Sequence, residues 1–151
     1  MRLFNKISLT ICVILASFVF TINANAQCKR YTKRECLPSL SPYMHNGQLT
    51  SAVLYPGDSA DVALTFNAGK EYRILVCNQE QIGNVQFKVL DKSRKVLYKS
   101  DPKNANPSWD FKVANTQQFI VQLTVPAMKK SNQKNNLVPN GCVALLVGFK
   151  E

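Results

Sequence analysis

The side chains able to do chemistry in this 151-residue chain are few: five cysteines, one histidine and nine scattered carboxylates. Cys12 sits in an apolar N-terminal run, which leaves Cys28, Cys36, Cys77 and Cys142. A zinc site is built from closely spaced cysteine pairs or cysteines with added histidines. Here the first spacing is C-x7-C, the other two cysteines are isolated, and the only histidine is His45. The pattern therefore reads as two disulfides of an oxidising compartment and not as a metal site. Three pairings are open. Easy closure over seven intervening residues favours Cys28–Cys36. Cys77–Cys142 then joins two distant segments, where a crosslink restricts the unfolded chain most. The rival arrangement staples the N-terminal segment to the body through Cys77, Cys142 or both.

Catalytic combinations are thin. His45 stands beside Asn46-Gly47, a turn signal. No G-x-S-x-G elbow accompanies it, so a small hydrolase using His45 as base is the weakest reading. Asp58 and Asp61 frame a turn but fall short of the oxygens a calcium ion takes. No phosphate loop and no other cofactor signature is present. The expectation is a protein that is not an enzyme and holds no cofactor. Four basic residues, Lys29, Arg30, Lys33 and Arg34, crowd between the first two cysteines. Lys129, Lys130 and Lys134 fall in a Lys/Asn/Gln-rich stretch. These two groups are the candidate binding surface. Tyr43, Tyr55, Tyr98 and Trp109 are candidate sugar platforms. Trp109 alternates in phase with Phe111 and Val113, which points it into a core, whereas Tyr31 and Tyr43 are expected to be exposed.

The elements that must position these residues begin with a leader. Arg2 and Lys6 precede an apolar run from Ile7 to Ile22, followed by Asn23-Ala24-Asn25-Ala26. A positive start, an apolar middle and an A-x-A end read as a secretory signal peptide, residues 1–26. The run of about 16 residues is short of the roughly 20 that span a bilayer, and the mature chain has no other candidate span. The protein is expected to be exported, to the periplasm or beyond. Removing Arg2 and Lys6 from the 19 basic residues leaves 17 against 9 acidic ones, about +8 for the mature chain. Such a charge favours anionic partners. In an exported protein that means an acidic glycan, a lipid surface or another envelope or extracellular protein, and not nucleic acid.

Residues 27–46 form a basic, cysteine-containing arm with Pro38 and Pro42. From residue 47 onward the chain is a series of short alternating runs. "QLTSAVLY" (48–55), "DVALTF" (61–66), "EYRILVC" (71–77), "VQFKVLD" (85–91), "KVLYK" (95–99), "WDFKV" (109–113) and "QFIVQLTV" (118–125) are separated by Gly, Pro, Asn and Asp. A nearly continuous apolar run, "CVALLVGFK" (142–150), reads as a central strand. About eight β-branched and aromatic strands at this spacing predict an all-β fold, a single antiparallel sandwich over 47–151. Residues 127–140 read as a surface loop.

Three segments carry a family resemblance. "FNAGKEYRILV" (66–76), "VQFKVLDKSRKVLY" (85–98) and "WDFKVANTQQFIVQLTV" (109–125), with the closing strand at 142–149, resemble the bacterial pre-peptidase C-terminal domain. The resemblance covers about two thirds of the chain. It departs from the family in lacking a preceding peptidase and the acidic residues before the first turn. The Lys/Asn-rich style and the "PYMHNGQL" segment look like small exported proteins of the Bacteroidota. What the resemblance implies is a jelly-roll-like accessory or binding module; it does not imply a catalytic site.

Overall fold

A computed structural model describes residues 24–128 and 138–151. Nine strands form two antiparallel sheets: β1 (Met44–His45), β2 (Thr50–Leu54), β3 (Ser59–Phe66), β4 (Glu71–Asn78), β5 (Gln86–Leu90), β6 (Val96–Lys99), β7 (Ser108–Lys112), β8 (Gln117–Thr124) and β9 (Gly141–Lys150). The first sheet runs β1-β9-β4-β7, with β2 also on β9; the second runs β3-β8-β5-β6. The seven alternating runs and the continuous run at 142–150 are all strands, and β1 is a short addition that opens the first sheet opposite Gly148 and Phe149.

Strict alternation explains the core. Leu64 and Phe66, Tyr72, Ile74 and Val76, Phe87 and Val89, and Phe119, Val121 and Leu123 all turn inward between the sheets. They meet Val143, Leu145 and Val147 of β9. Burial of this apolar area is the main favourable term in folding. Trp109 and Phe111 line the open side between the edge strands β7 and β6. Trp109 is stacked on Tyr98 at 5.0 Å and on Phe111 at 4.3 Å. The Tyr98 hydroxyl donates to the Ser108 carbonyl at 3.3 Å, linking one sheet edge to the other.

The outward phase is unusual. In β4 and β9 the alternate residues Leu75, Cys77, Ala144 and Leu146 are also buried. A strand reads as a continuous apolar run when both its faces are covered, and "CVALLVGF" does so because a third layer lies over the first sheet. That layer is the arm. Helix α1 (Ala24–Tyr31) passes into a single π-turn (Thr32–Cys36) and a 3₁₀ turn (Leu37–Leu40). Leu40 and Tyr43 from its end pack on Leu75, Ala144 and Leu146. Gly148 makes this possible: a Cβ there would lie 2.6 Å from the Tyr43 Cβ and 3.0 Å from Leu40 Cγ. The arm therefore folds as helical turns laid on the sandwich.

The disulfides differ from the local pairing expected. Cys28 bonds Cys142 of β9, with Cα atoms 5.2 Å apart. Cys36 bonds Cys77 of β4, with Cα atoms 5.8 Å apart. Helical geometry is the reason. Eight residues at about 1.5 Å each span roughly 12 Å, beyond the roughly 7 Å that a disulfide bridges. The rival arrangement, with the arm stapled through both core cysteines, is the one found.

Candidate binding surface

The sequence Cys28 to Cys36 places its residues by helical period. Cys28, Thr32 and Cys36 recur every four residues and are buried at 1% exposure or less. The Thr32 hydroxyl donates to the Cys28 carbonyl at 2.7 Å, so this buried polar group is satisfied within the turn. Lys29 with Lys33, and Arg30 with Arg34, recur at the same interval on the opposite side, and all four are exposed. The structure thus gathers these four candidates onto one ridge, held from beneath by two disulfides. Among the described residues none of the four forms an ion pair: the pairs are Lys70–Glu151, Arg73–Asp110, Arg94–Asp61 and Lys112–Glu71. The other basic candidates, Lys129, Lys130 and Lys134, lie outside the described residues.

At the end of the arm, the outer face of the first sheet carries a closed ionic network. Arg73 and Asp110 face each other across β4 and β7. Their pairing is bidentate, both bonds 2.7 Å. The second Arg73 amino group donates to the Ser41 carbonyl at 3.1 Å, tying down the end of the arm. The Tyr43 hydroxyl donates to Glu71 at 2.6 Å. Arg73 and Lys150 lie over the Tyr43 ring at 4.4 and 4.1 Å. Tyr43 is consequently 6% exposed, against the expectation of an exposed arm residue. Burial, then the Glu71 and Asp110 carboxylates, drive its phenol far above the ordinary range. The hydrogen bond from Arg73 holds the Asp110 carboxyl below its usual value. Every charge in this network has a partner, so the network secures the arm and offers no open binding group.

The remaining candidates are placed as follows. Trp109 has Tyr98 stacked on it within 13° and Phe111 within 17°. A sugar needs a free ring face, and two partners occupy this one. Tyr31, expected to be exposed, is half-buried against the sheet, its hydroxyl 3.7 Å from the Cys77 sulfur. Tyr55 stays exposed, its hydroxyl accepting from Asn140 at 3.3 Å. His45 lies on β1 and not in a loop, and its Nδ1 accepts the Gly47 N–H at 3.2 Å. Asp58 accepts the Tyr55 N–H at 2.9 Å as a turn residue. Asp61 is held instead by Arg94 and Gln122 across the four-stranded sheet.

What the sequence left unseen is a cleft of about 750 Å³ at the exit of β4, lined by Tyr31, Glu35, Asn78, Glu80, Asn84 and Asn106. Its residues come from three separate segments, so no local spacing announces it. Burial first, and then Glu35 and Glu80, push the Tyr31 phenol up.

The sequence matches no family profile and no curated protein. Among solved structures the chain is similar to the pre-peptidase C-terminal domain of a collagenase from Bacillus anthracis. The identity is 13%, the TM-score 0.48, and the match covers 69% of this chain and 89% of that one. This is the kind of domain that the strand patterns resemble. The chain is also similar to PliG of Aeromonas hydrophila, a periplasmic lysozyme inhibitor of g-type lysozyme. That match has 13% identity and a TM-score of 0.47, over 68% of this chain and 85% of that one. These overlaps carry no residue-level correspondence. No described helix is long and apolar enough to cross a membrane.

Proposed function

We propose that this chain is an exported, non-enzymatic β-sandwich that binds another cell-envelope or extracellular component through its stapled basic helix. The carrying observation is the division of one helical segment into two faces. Cys28 and Cys36 are bonded into β9 and β4, while Lys29, Arg30, Lys33 and Arg34 face solvent with no counter-ion among the described residues. Two crosslinks hold the ridge in one geometry, so a partner does not have to order it on binding. Two disulfides also fit an oxidising compartment, in keeping with residues 1–26 as a signal peptide.

A second reading follows from the same ridge: direct binding of an anionic glycan or lipid surface. Salt dependence separates this from assembly with a protein through other surfaces, because exposed charges are screened as salt rises. The test is binding to immobilised dextran sulfate and to phosphatidylglycerol vesicles at low and high salt. Retention at low salt that is lost at high salt, and lost when the four residues become glutamine, supports the ridge as the binding group. Retention unchanged in that variant refutes it. Equal, salt-insensitive retention on neutral dextran refutes it too.

A further inference from the structure

Beside the basic ridge the surface changes sign. The cleft at the exit of β4 takes Tyr31 and Glu35 from the arm, Glu80 from the 3₁₀ turn Glu80–Ile82, and Asn106 from the β6–β7 loop. Among the described residues no lysine or arginine lines it, although the chain carries a formal net charge of +10. Neither Glu35 nor Glu80 forms an ion pair or a side-chain hydrogen bond among the described residues, and both are exposed. The Tyr31 hydroxyl lies 3.7 Å from the Cys77 sulfur, a weak acceptor.

A second feature of the cleft is independent of its charge. Strand β7 pairs with β4 as far as Leu75 opposite Ser108. One further bond follows, from the Val76 N–H to the Pro107 carbonyl at 3.0 Å. In an antiparallel ladder every second residue bonds the same neighbour. The next such position is Asn78, which would face Ala105, but the β6–β7 loop has turned away and no backbone bond joins them. Ala105 and Asn78 instead line the cleft. The Asn78 side chain is already committed: its amide donates to the Gln79 and Gly83 carbonyls and its oxygen accepts the Val85 N–H. The cleft therefore combines one β4 backbone position with no strand beside it, the buried Asn78, with two carboxylates that lack cations among the described residues.

We propose that this cleft is a second binding site, taking an extended segment of a partner protein whose lysine or arginine side chain lies between Glu35 and Glu80. The segment continues the β7 side of β4 at Asn78, in the manner of strand addition at a sheet edge. Two carboxylates and a phenol match an ammonium or guanidinium better than a hard divalent cation, which takes six or more oxygens. The site goes beyond the ridge, since it selects the opposite charge and uses other residues.

The test is nitrogen-15 NMR of the oxidised protein titrated with the blocked tripeptide acetyl-Val-Arg-Val-amide. The matching Val-Glu-Val peptide and N-acetylarginine amide serve as controls. The expected result is saturable shifts at Asn78, Glu80 and Asn106, with Kd raised at least tenfold in Glu35→Gln/Glu80→Gln. Both glutamates are exposed and make no side-chain bonds, so the remaining resonances should report an intact fold. Replacing the four ridge residues by glutamine should leave these shifts in place, whatever becomes of polyanion binding. Shifts equal for the Glu peptide, or unchanged by the double substitution, overturn the proposal. A tripeptide that binds no tighter than N-acetylarginine amide overturns the strand-addition part.

Discussion

Breaking one staple at a time tests the link between the arm and the sandwich. The Cys28–Cys142 bond closes a separation of 114 residues and Cys36–Cys77 one of 41. The chain-entropy relation gives about 5 kcal/mol for the longer loop and about 4 kcal/mol for the shorter. The shorter loop is nested inside the longer, so losing both bonds should cost less than the sum. Cys28→Ala/Cys142→Ala and Cys36→Ala/Cys77→Ala are the matched pairs. Each should unfold at lower urea than the wild type under oxidising conditions, by up to these amounts. Thiol titration in denaturant supplies the decisive count. With the pairing described here, each matched pair leaves no free thiol, while Cys28→Ala/Cys36→Ala leaves two. Two free thiols in Cys28→Ala/Cys142→Ala, with none in Cys28→Ala/Cys36→Ala, would restore the local pairing and refute the stapled arm.

Three other consequences are open to measurement. Gly148→Ala should cost roughly 1–3 kcal/mol by overpacking, since its Cβ meets the Tyr43 Cβ at 2.6 Å and cannot be relieved by a side-chain rotation; urea unfolding indistinguishable from wild type would contradict the close seat of the arm. Leu40→Ala should cost roughly 2–5 kcal/mol, because Leu40 is 1% exposed although it belongs to the arm; a loss below half a kilocalorie, on the order of a surface substitution, would show that the arm contributes no core. Acid should destabilise the protein. Asp110, Glu71 and Asp61 are lowered by hydrogen bonds from Arg73, Tyr43 and Arg94 respectively. The stability they contribute is present above the ordinary carboxylate range near about 4 and is lost as pH falls through their lowered values. Asp110→Asn should therefore flatten the acid limb of a stability–pH curve, and a limb parallel to wild type would refute that linkage.

The strands were legible because their signal is local. In "EYRILVC" and "QFIVQLTV" a residue's face follows from its parity alone. Trp109 was placed in the core by its phase with Phe111. The arm was harder, since helical and loop readings of "CKRYTKREC" differ only in what lies beneath. Its evidence was nonetheless present in two places. Cys28, Thr32 and Cys36 recur every four residues, with the charges on the other side. The run "CVALLVGFK" has apolar residues in both phases, which a strand covered on one face does not need. Leu75 and Cys77, in the outward phase of β4, made the same demand for a covering layer. Tyr43 is buried by Arg73 and Lys150, which are distant in sequence, so its environment was not readable locally. The cleft is assembled from three separated segments and required the structure.

The stapled helix is the face proposed to meet an anionic partner. Other lysines with no ion pair among the described residues compete for that role: Lys88 and Lys99 stand opposite each other on β5 and β6, and Lys92 and Lys95 flank the hairpin between those strands. The most direct test is a nitrogen-15 NMR titration of the oxidised protein with a short dextran sulfate at low salt. The expected result is shifts concentrated on residues 28–36 that fade as salt is raised. Shifts centred on Lys88, Lys92, Lys95 and Lys99, with the helix unmoved, would contradict it.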